Sequence, residues 1–180
     1  PGKTGLCRVR MNRAGELFSL VYGHPAALQV DPIEKKPLAF WKSGSRTFSI
    51  GTFGCNLSCR FCQNDSLSRS GSDRSREYPR MEPAQIIDLA RRNACESIAF
   101  TYNEPTVFLE YAVAIAKEAR AAGLGTVLVS NGWINPEPRQ ELYALIDAAN
   151  IDIKGFSDKF YRDLCGASLE TVLESCRHLR

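Results

Sequence analysis

Beyond residue 46 the apolar positions follow two alternating rhythms. Short runs at 47–52, 97–102, 126–130 and 151–154 have the length and bounding of strands, and between them apolar residues return at helical spacing. Ile86, Ile87, Ala90 and Ala94 share one face of a helix opened by Glu82 and Pro83, proline being suited to the first helical position. Phe108, Tyr111, Ala112, Ile115 and Ala119 mark a longer helix after Pro105, which Gly123 ends in a left-handed conformation. Leu142, Leu145 and Ile146 predict a third helix over 137–149, and Leu169, Val172, Leu173 and Cys176 a last one that Ser168 caps. Four strand–helix units in alternation predict an α/β fold with a parallel sheet and right-handed crossovers.

The remainder of the chain has a different texture. Residues 1–45 hold short β-like runs, such as 16–22, broken by Gly15, Gly23, Pro25, Pro32 and Pro37, and form a β-rich lead-in to a core domain over 46–180. Segment 66–80 is rich in Ser, Arg and Gly without apolar period and is expected as an exposed loop with at most a turn of helix. The chain starts at Pro1 without an initiator methionine and stops directly after an apparent helix, which suggests a fragment.

Composition changes this picture little. With 180 residues, 44% hydrophobic and 24% charged, the chain can bury a real core and is neither disordered nor fibrous. A net charge of +3 falls short of the basic stripe expected of a nucleic-acid partner, and no apolar run is long enough to span a membrane. A cytoplasmic location is therefore the default, with neither nucleic acid nor membrane as partner.

The seven cysteines matter more. Three fall within eight residues, at Cys55, Cys59 and Cys62, a distribution that suits a metal site in a reducing compartment better than a disulfide framework. Cys7, Cys95, Cys165 and Cys176 stand apart as packed thiols. A fully bound [4Fe-4S] cube needs four thiolates, so three leave one iron open to another ligand. Two other functions remain open at this point: an iron–sulfur module that only transfers electrons, and a zinc-stabilised binding module, although structural zinc draws four protein ligands. In a barrel, chemistry gathers at the loops after the carboxyl ends of strands. The predicted strands lead to Cys55, Cys59 and Cys62, to Asn103 and Glu104, to Ser130 and Asn131, and to Asp152 and Lys154.

The spacing Cys-x3-Cys-x2-Cys, with Phe61 just before the last cysteine, resembles the signature of the radical S-adenosylmethionine superfamily. The resemblance implies a TIM-like (βα)6 partial barrel, truncated here to about four units. Cys55, Cys59 and Cys62 would bind a [4Fe-4S] cluster, with S-adenosyl-L-methionine on the open iron and Phe61 near its adenine. It further implies reductive cleavage to methionine and a 5′-deoxyadenosyl radical that abstracts hydrogen from a substrate. Tyr102-Asn103-Glu104-Pro105 stands where the family has Gly-Gly-Glu-Pro, which implies that Asn103 and Glu104 meet the methionine amino group on a backbone altered by the lost glycines. Ser130-Asn131-Gly132 resembles the segment that contacts the ribose, and Asp152-Ile153-Lys154 the Asp-Leu-Lys element of glycyl-radical activating enzymes. With Asp31-Pro32-Ile33-Glu34-Lys35-Lys36-Pro37-Leu38 added, the chain resembles the AmmeMemoRadiSam-system radical enzymes, relatives of pyruvate formate-lyase activating enzyme. That kinship implies an electron donor such as flavodoxin or ferredoxin and a protein or small-molecule substrate, with glycyl-radical activation among the outcomes. Lys35 and Lys36 are expected on a solvated loop or against an acidic group.

Overall fold

A computed structural model describes residues 2–179; Pro1 and Arg180, the outer ends of the two expected segments, lie outside the described residues. Strands β1 (Arg10–Arg13) and β2 (Glu16–Ser19) form an antiparallel hairpin. Strands β3 (Ala27–Pro32), β4 (Arg46–Gly51), β5 (Ser97–Phe100), β6 (Gly125–Ser130) and β7 (Ala148–Ile151) form one sheet in that order, antiparallel at β3–β4 and parallel thereafter. Between them run α1 (Asp65–Ser68), α2 (Ser72–Ser75), α3 (Pro83–Arg92), α4 (Leu109–Ala121) and α5 (Pro136–Tyr143); α6 (Asp158–Phe160), a π-helical turn over Tyr161–Cys165 and α7 (Leu169–His178) complete the chain. This is an α/β fold with a parallel-rich sheet, the arc of a TIM-like barrel.

Alternation along the strands sorts the two faces of the sheet. Phe48 and Ile50 of β4, Ile98 and Phe100 of β5 and Leu128 of β6 turn to one side, where Ile86 and Ile87 of α3 and Phe108, Tyr111 and Ile115 bury them. On the other side Ala99 and Val127 pack against Ile33, Leu38 and Trp41 of the chain following β3. Gly125 is required there, because a Cβ would stand 2.6 Å from the Trp41 ring. The lead-in thus gives the main sheet its edge strand and a plug for its inner face, while Arg10 ties the hairpin to Glu110 of α4 at 2.8 Å.

Several local expectations shift. Segment 66–80 holds two single turns, α1 and α2, instead of one. Helix α3 ends at Arg92; Ala94 is exposed at φ 50°, and Cys95 takes the inward position. Helix α5 stops at Tyr143 rather than continuing to 149, because Asp147 Oδ2 accepts from Thr126 N at 2.9 Å and Asp147 N donates to Thr126 O at 3.0 Å, which pulls the chain onto β6. Strand β7 consequently occupies Ala148–Ile151, and Asp152 and Lys154 lie beyond its end. Ser168 stands at the N-cap of α7 without capping it: its hydroxyl meets Thr171 Oγ1 at 3.0 Å, and the Leu169 amide donates to Asp158 Oδ1 at 3.1 Å.

Lys36 is neither solvated nor free. It is 2% exposed and pairs with buried Asp31 at 2.8 Å, while Lys35 reaches the other carboxylate oxygen at 2.8 Å. Burial works against the Asp31 charge, but hydrogen bonds from Lys35, Lys36 and Tyr102 outweigh it and hold the carboxyl well below its ordinary range. A depressed folded-state value stabilises the fold above the unfolded value, near about pH 4, and that contribution is lost as pH falls through the folded value. Asp31→Asn is therefore expected to be less stable than wild type at neutral pH, with the gap narrowing below about pH 4 in acid-dependent urea melts.

Candidate active site

The cysteine loop leaves the carboxyl end of β4 and is fixed from three sides. Gly54, at φ 89°, lies so close to the lead-in that a Cβ would stand 2.6 Å from both Cys7 O and Val9 Cγ2, so only glycine turns the chain there. Ser58 N donates to Cys165 O at 2.7 Å and Arg60 N to Leu164 O at 3.0 Å, seating the loop on the π-helical turn. Arg69 closes the third side with a bond to Cys59 O at 2.8 Å. The backbone therefore holds Cys55, Cys59 and Cys62 in place whatever the thiols bind.

All ten residues singled out in the sequence border one cavity of about 290 Å³ at the carboxyl ends of β4, β5 and β6 and beyond β7. The three cysteines and Phe61 form one wall; Asn103 and Glu104, Ser130 and Asn131, and Asp152 and Lys154 form the others. Phe61 is half-exposed and leans on Phe160, ring centres 5.8 Å apart.

The side chains divide into those spent on the frame and those turned to the cavity. Asn103 Oδ1 accepts from Thr52 N at 2.9 Å, and Nδ2 donates to Gly54 O at 2.9 Å, so its amide braces the cysteine loop; its own N–H donates to Thr101 O at 3.0 Å, which leaves its carbonyl for a ligand. Asn131 is likewise engaged: Nδ2 donates to Asn56 Oδ1 at 2.9 Å and Oδ1 accepts from Trp133 N at 2.8 Å. Ser130 Oγ donates to Glu104 Oε1 at 2.8 Å and accepts from Gly132 N at 3.0 Å. The expected ribose contacts are thus already bonded within the protein.

Glu104 is 3% exposed. Oε1 accepts from Thr106 N at 3.0 Å, Thr106 Oγ1 at 2.7 Å and Ser130 Oγ; Oε2 accepts only from Asn131 N, at 2.8 Å. Burial pushes this carboxyl above its ordinary range against the pull of those donors. Among the described residues Glu104 has no cation within ion-pairing distance. Its second oxygen keeps capacity for a donor from the cavity. Lys154 pairs with Asp152 at 2.9 Å, and this carboxylate outweighs burial to keep the ammonium charged. Lys154 N also donates to the Tyr161 hydroxyl at 2.9 Å.

Three thiols on one loop are the donor set that a [4Fe-4S] cluster with one open iron would take. Among the described residues no three His, Cys, Asp or Glu side chains converge on a single ion position. A cluster takes one thiolate per iron at separate corners, whereas zinc draws four donors to one point. Without metal, burial first and then the Glu104 charge push the Cys55 thiol up to about 12. Cys165, buried beside Cys59, is pushed up to about 12 by burial and by that neighbour. Asn56, Asn64, Cys165 and Tyr161 complete the surroundings of the site. Only Asn56 and Asn64 carried a signal in the sequence, by standing within or beside the cysteine motif.

Comparison with known proteins agrees with this arrangement. Residues 49–180 match the model of the Radical SAM superfamily. An uncharacterized protein of Methanocaldococcus jannaschii is 41% identical over 176 residues, 98% of this chain and 52% of its own. The 7-carboxy-7-deazaguanine synthase of Thermococcus kodakarensis is 28% identical over 153 residues, 76% of this chain and 60% of that one. A solved structure of TYW1 with a lysine-pyruvate adduct bound has the same fold at a TM-score of 0.53 and 18% identity, covering 87% of this chain and 61% of that one. The chain spans from about half to three fifths of the length of these proteins. The family model alone covers well over half of the residues, and the chain belongs to the radical S-adenosylmethionine superfamily.

Proposed function

We propose that this chain is the cofactor-cleaving part of an enzyme that abstracts hydrogen from its substrate. The observation that carries the reading is one cavity bordered by three thiols outside any disulfide and by a buried carboxylate that, among the described residues, pairs with no cation. Cys55, Cys59 and Cys62 would hold a [4Fe-4S] cluster. Glu104 Oε2 and the Asn103 carbonyl, both acceptors, would receive the methionine ammonium of S-adenosylmethionine. A cluster held there would supply the one-electron reduction by which S-adenosylmethionine is cleaved to methionine and a hydrogen-abstracting 5′-deoxyadenosyl radical.

The protein's share is binding and orientation. Ser130 and Asn131 steady the Glu104 carboxylate from below and the cysteine loop through Asn56. Phe61 offers a half-exposed apolar face for the adenine, and the Asp152–Lys154 pair a charged rim for polar atoms of the nucleoside. The electron would come from a small redox protein such as a flavodoxin or ferredoxin.

The test is anaerobic reconstitution with iron and sulfide, reduction in the presence of S-adenosylmethionine, and mass spectrometry for 5′-deoxyadenosine. Formation of this product is the expected result. An iron-loaded protein whose spectrum ignores the cofactor and which yields no product would overturn the reading in favour of an electron-transfer module.

A further inference from the structure

The 31–38 motif has no part in the site as described so far, yet it reaches the site through Tyr102. The Tyr102 hydroxyl donates to Asp31 Oδ2 at 2.6 Å, on the same oxygen that takes Lys36 Nζ at 2.8 Å; Lys35 Nζ holds Oδ1 at 2.8 Å. Lys36 Nζ also lies 4.8 Å from the centre of the Tyr102 ring. The anchor is therefore a buried carboxylate fixed by two ammonium groups, with the tyrosine ring stacked on one of them.

What this anchor holds is a strained backbone. Tyr102 has φ 72°, in the left-handed region where a bulky side chain is disfavoured. Its carbonyl accepts from Asn64 Nδ2 of the cysteine loop at 2.8 Å. The next two residues are Asn103, which braces 52–54, and Glu104, which faces the cavity. The kink is tightly backed by β4, since a Cβ on Gly51 would stand 2.7 Å from Thr101 O and 3.1 Å from Tyr102 Cβ. The direction of the chain at Tyr102 thus sets where Asn103 and Glu104 stand.

We propose that Asp31, clamped by Lys35 and Lys36, is a positioning residue for S-adenosylmethionine binding: it anchors Tyr102 so that a non-glycine residue keeps the left-handed turn presenting Asn103 and Glu104 to the cofactor. The inference rests on the cofactor-cleaving reading. It carries a specific corollary, because glycine takes a left-handed conformation without steric strain and needs no anchor. The network does for tyrosine what the bare backbone would do for glycine.

The experiment measures S-adenosylmethionine affinity of the reconstituted protein by calorimetry, and amide exchange across 101–104 in the protein without cofactor. Tyr102→Phe cuts the anchor and keeps the strain; its affinity is expected to fall about tenfold, the worth of one hydrogen bond to a charged group, with faster exchange. Tyr102→Gly removes anchor and strain together and is expected to bind more tightly than Tyr102→Phe. If the ring served packing alone, the order would reverse, since glycine deletes the whole side chain, and that order would overturn the inference. Unchanged affinity and exchange in Tyr102→Phe would overturn it as well. Asp31→Asn is expected to weaken binding in the parent protein but not in the Tyr102→Gly background; equal weakening in both would assign Asp31 to folding only. A parent protein that binds no S-adenosylmethionine sinks the cofactor-cleaving reading and this inference together, whereas a parent that binds, with the variants in the wrong order, sinks this inference alone.

Discussion

Alanine at Cys59 is expected to abolish iron–sulfur loading and 5′-deoxyadenosine formation while leaving the fold of the unloaded protein in place. The loop around it is held by two main-chain bonds, Ser58 N to Cys165 O and Arg60 N to Leu164 O, and by the Arg69 guanidinium on Cys59 O, none of which involves the thiol. Removing an outer-shell partner of a metal ligand typically costs about 10- to 100-fold in metal affinity, so removing a ligand should exceed about a hundredfold. Iron and sulfide analysis after anaerobic reconstitution, with thermal melts of the unloaded protein, separates loading from folding. Cys95→Ala is the control: that thiol is buried near the end of α3, outside the cavity lining, and its loss should leave iron content unchanged.

Replacement of Glu104 should act on fold and site at once. Glu104→Ala strips the acceptor from Thr106 N, Thr106 Oγ1, Ser130 Oγ and Asn131 N, in a place with little access to water. Each buried donor left unsatisfied costs about 1–3 kcal/mol, and partial rescue by water entering the gap sets the expected loss near about 3 kcal/mol. Glu104→Gln divides the two effects. Its carbonyl can take the place of Oε1 and keep three donors satisfied while its NH2 faces the Asn131 N–H, so stability should drop by about 2 kcal/mol, less than in Glu104→Ala. Its amide then points at the cavity, where a donor meets the cofactor's ammonium instead of an acceptor, and S-adenosylmethionine affinity should fall at least about tenfold. Urea melts and calorimetry on the same two variants check both halves.

The legible part of this molecule was whatever is encoded by short-range spacing. Three cysteines in one loop, a proline opening α3, a glycine after α4 and the strand-end polar residues could each be found within a window of a few residues, and the fold class followed from their alternation. The features that shifted depend on partners distant in sequence. Helix α5 stops early because Asp147 is captured by Thr126, and Ser168 leaves α7 uncapped because its hydroxyl is engaged by Thr171 Oγ1 and Trp133 Nε1. The side chains of Asn103, Ser130 and Asn131 looked available to a ligand, and only the folded chain shows them bonded to Thr52, Glu104 and Asn56. For Lys36 the sequence leaves two readings, a solvated loop or an acidic partner, and the choice between them is made by Asp31, five residues earlier, turning inward on β3.

The seating of the cysteine loop on the turn that ends at Cys165 also bears on how the protein is made. Ser58 and its carbonyl partner are 107 residues apart. At a synthesis rate of about 5–20 residues per second, the three thiols leave the ribosome roughly 5–20 s before the surface that seats them has been added. The main-chain seat of the cysteine loop therefore forms only once the 161–166 turn has been made, so the site closes late along the chain although its ligands are encoded early.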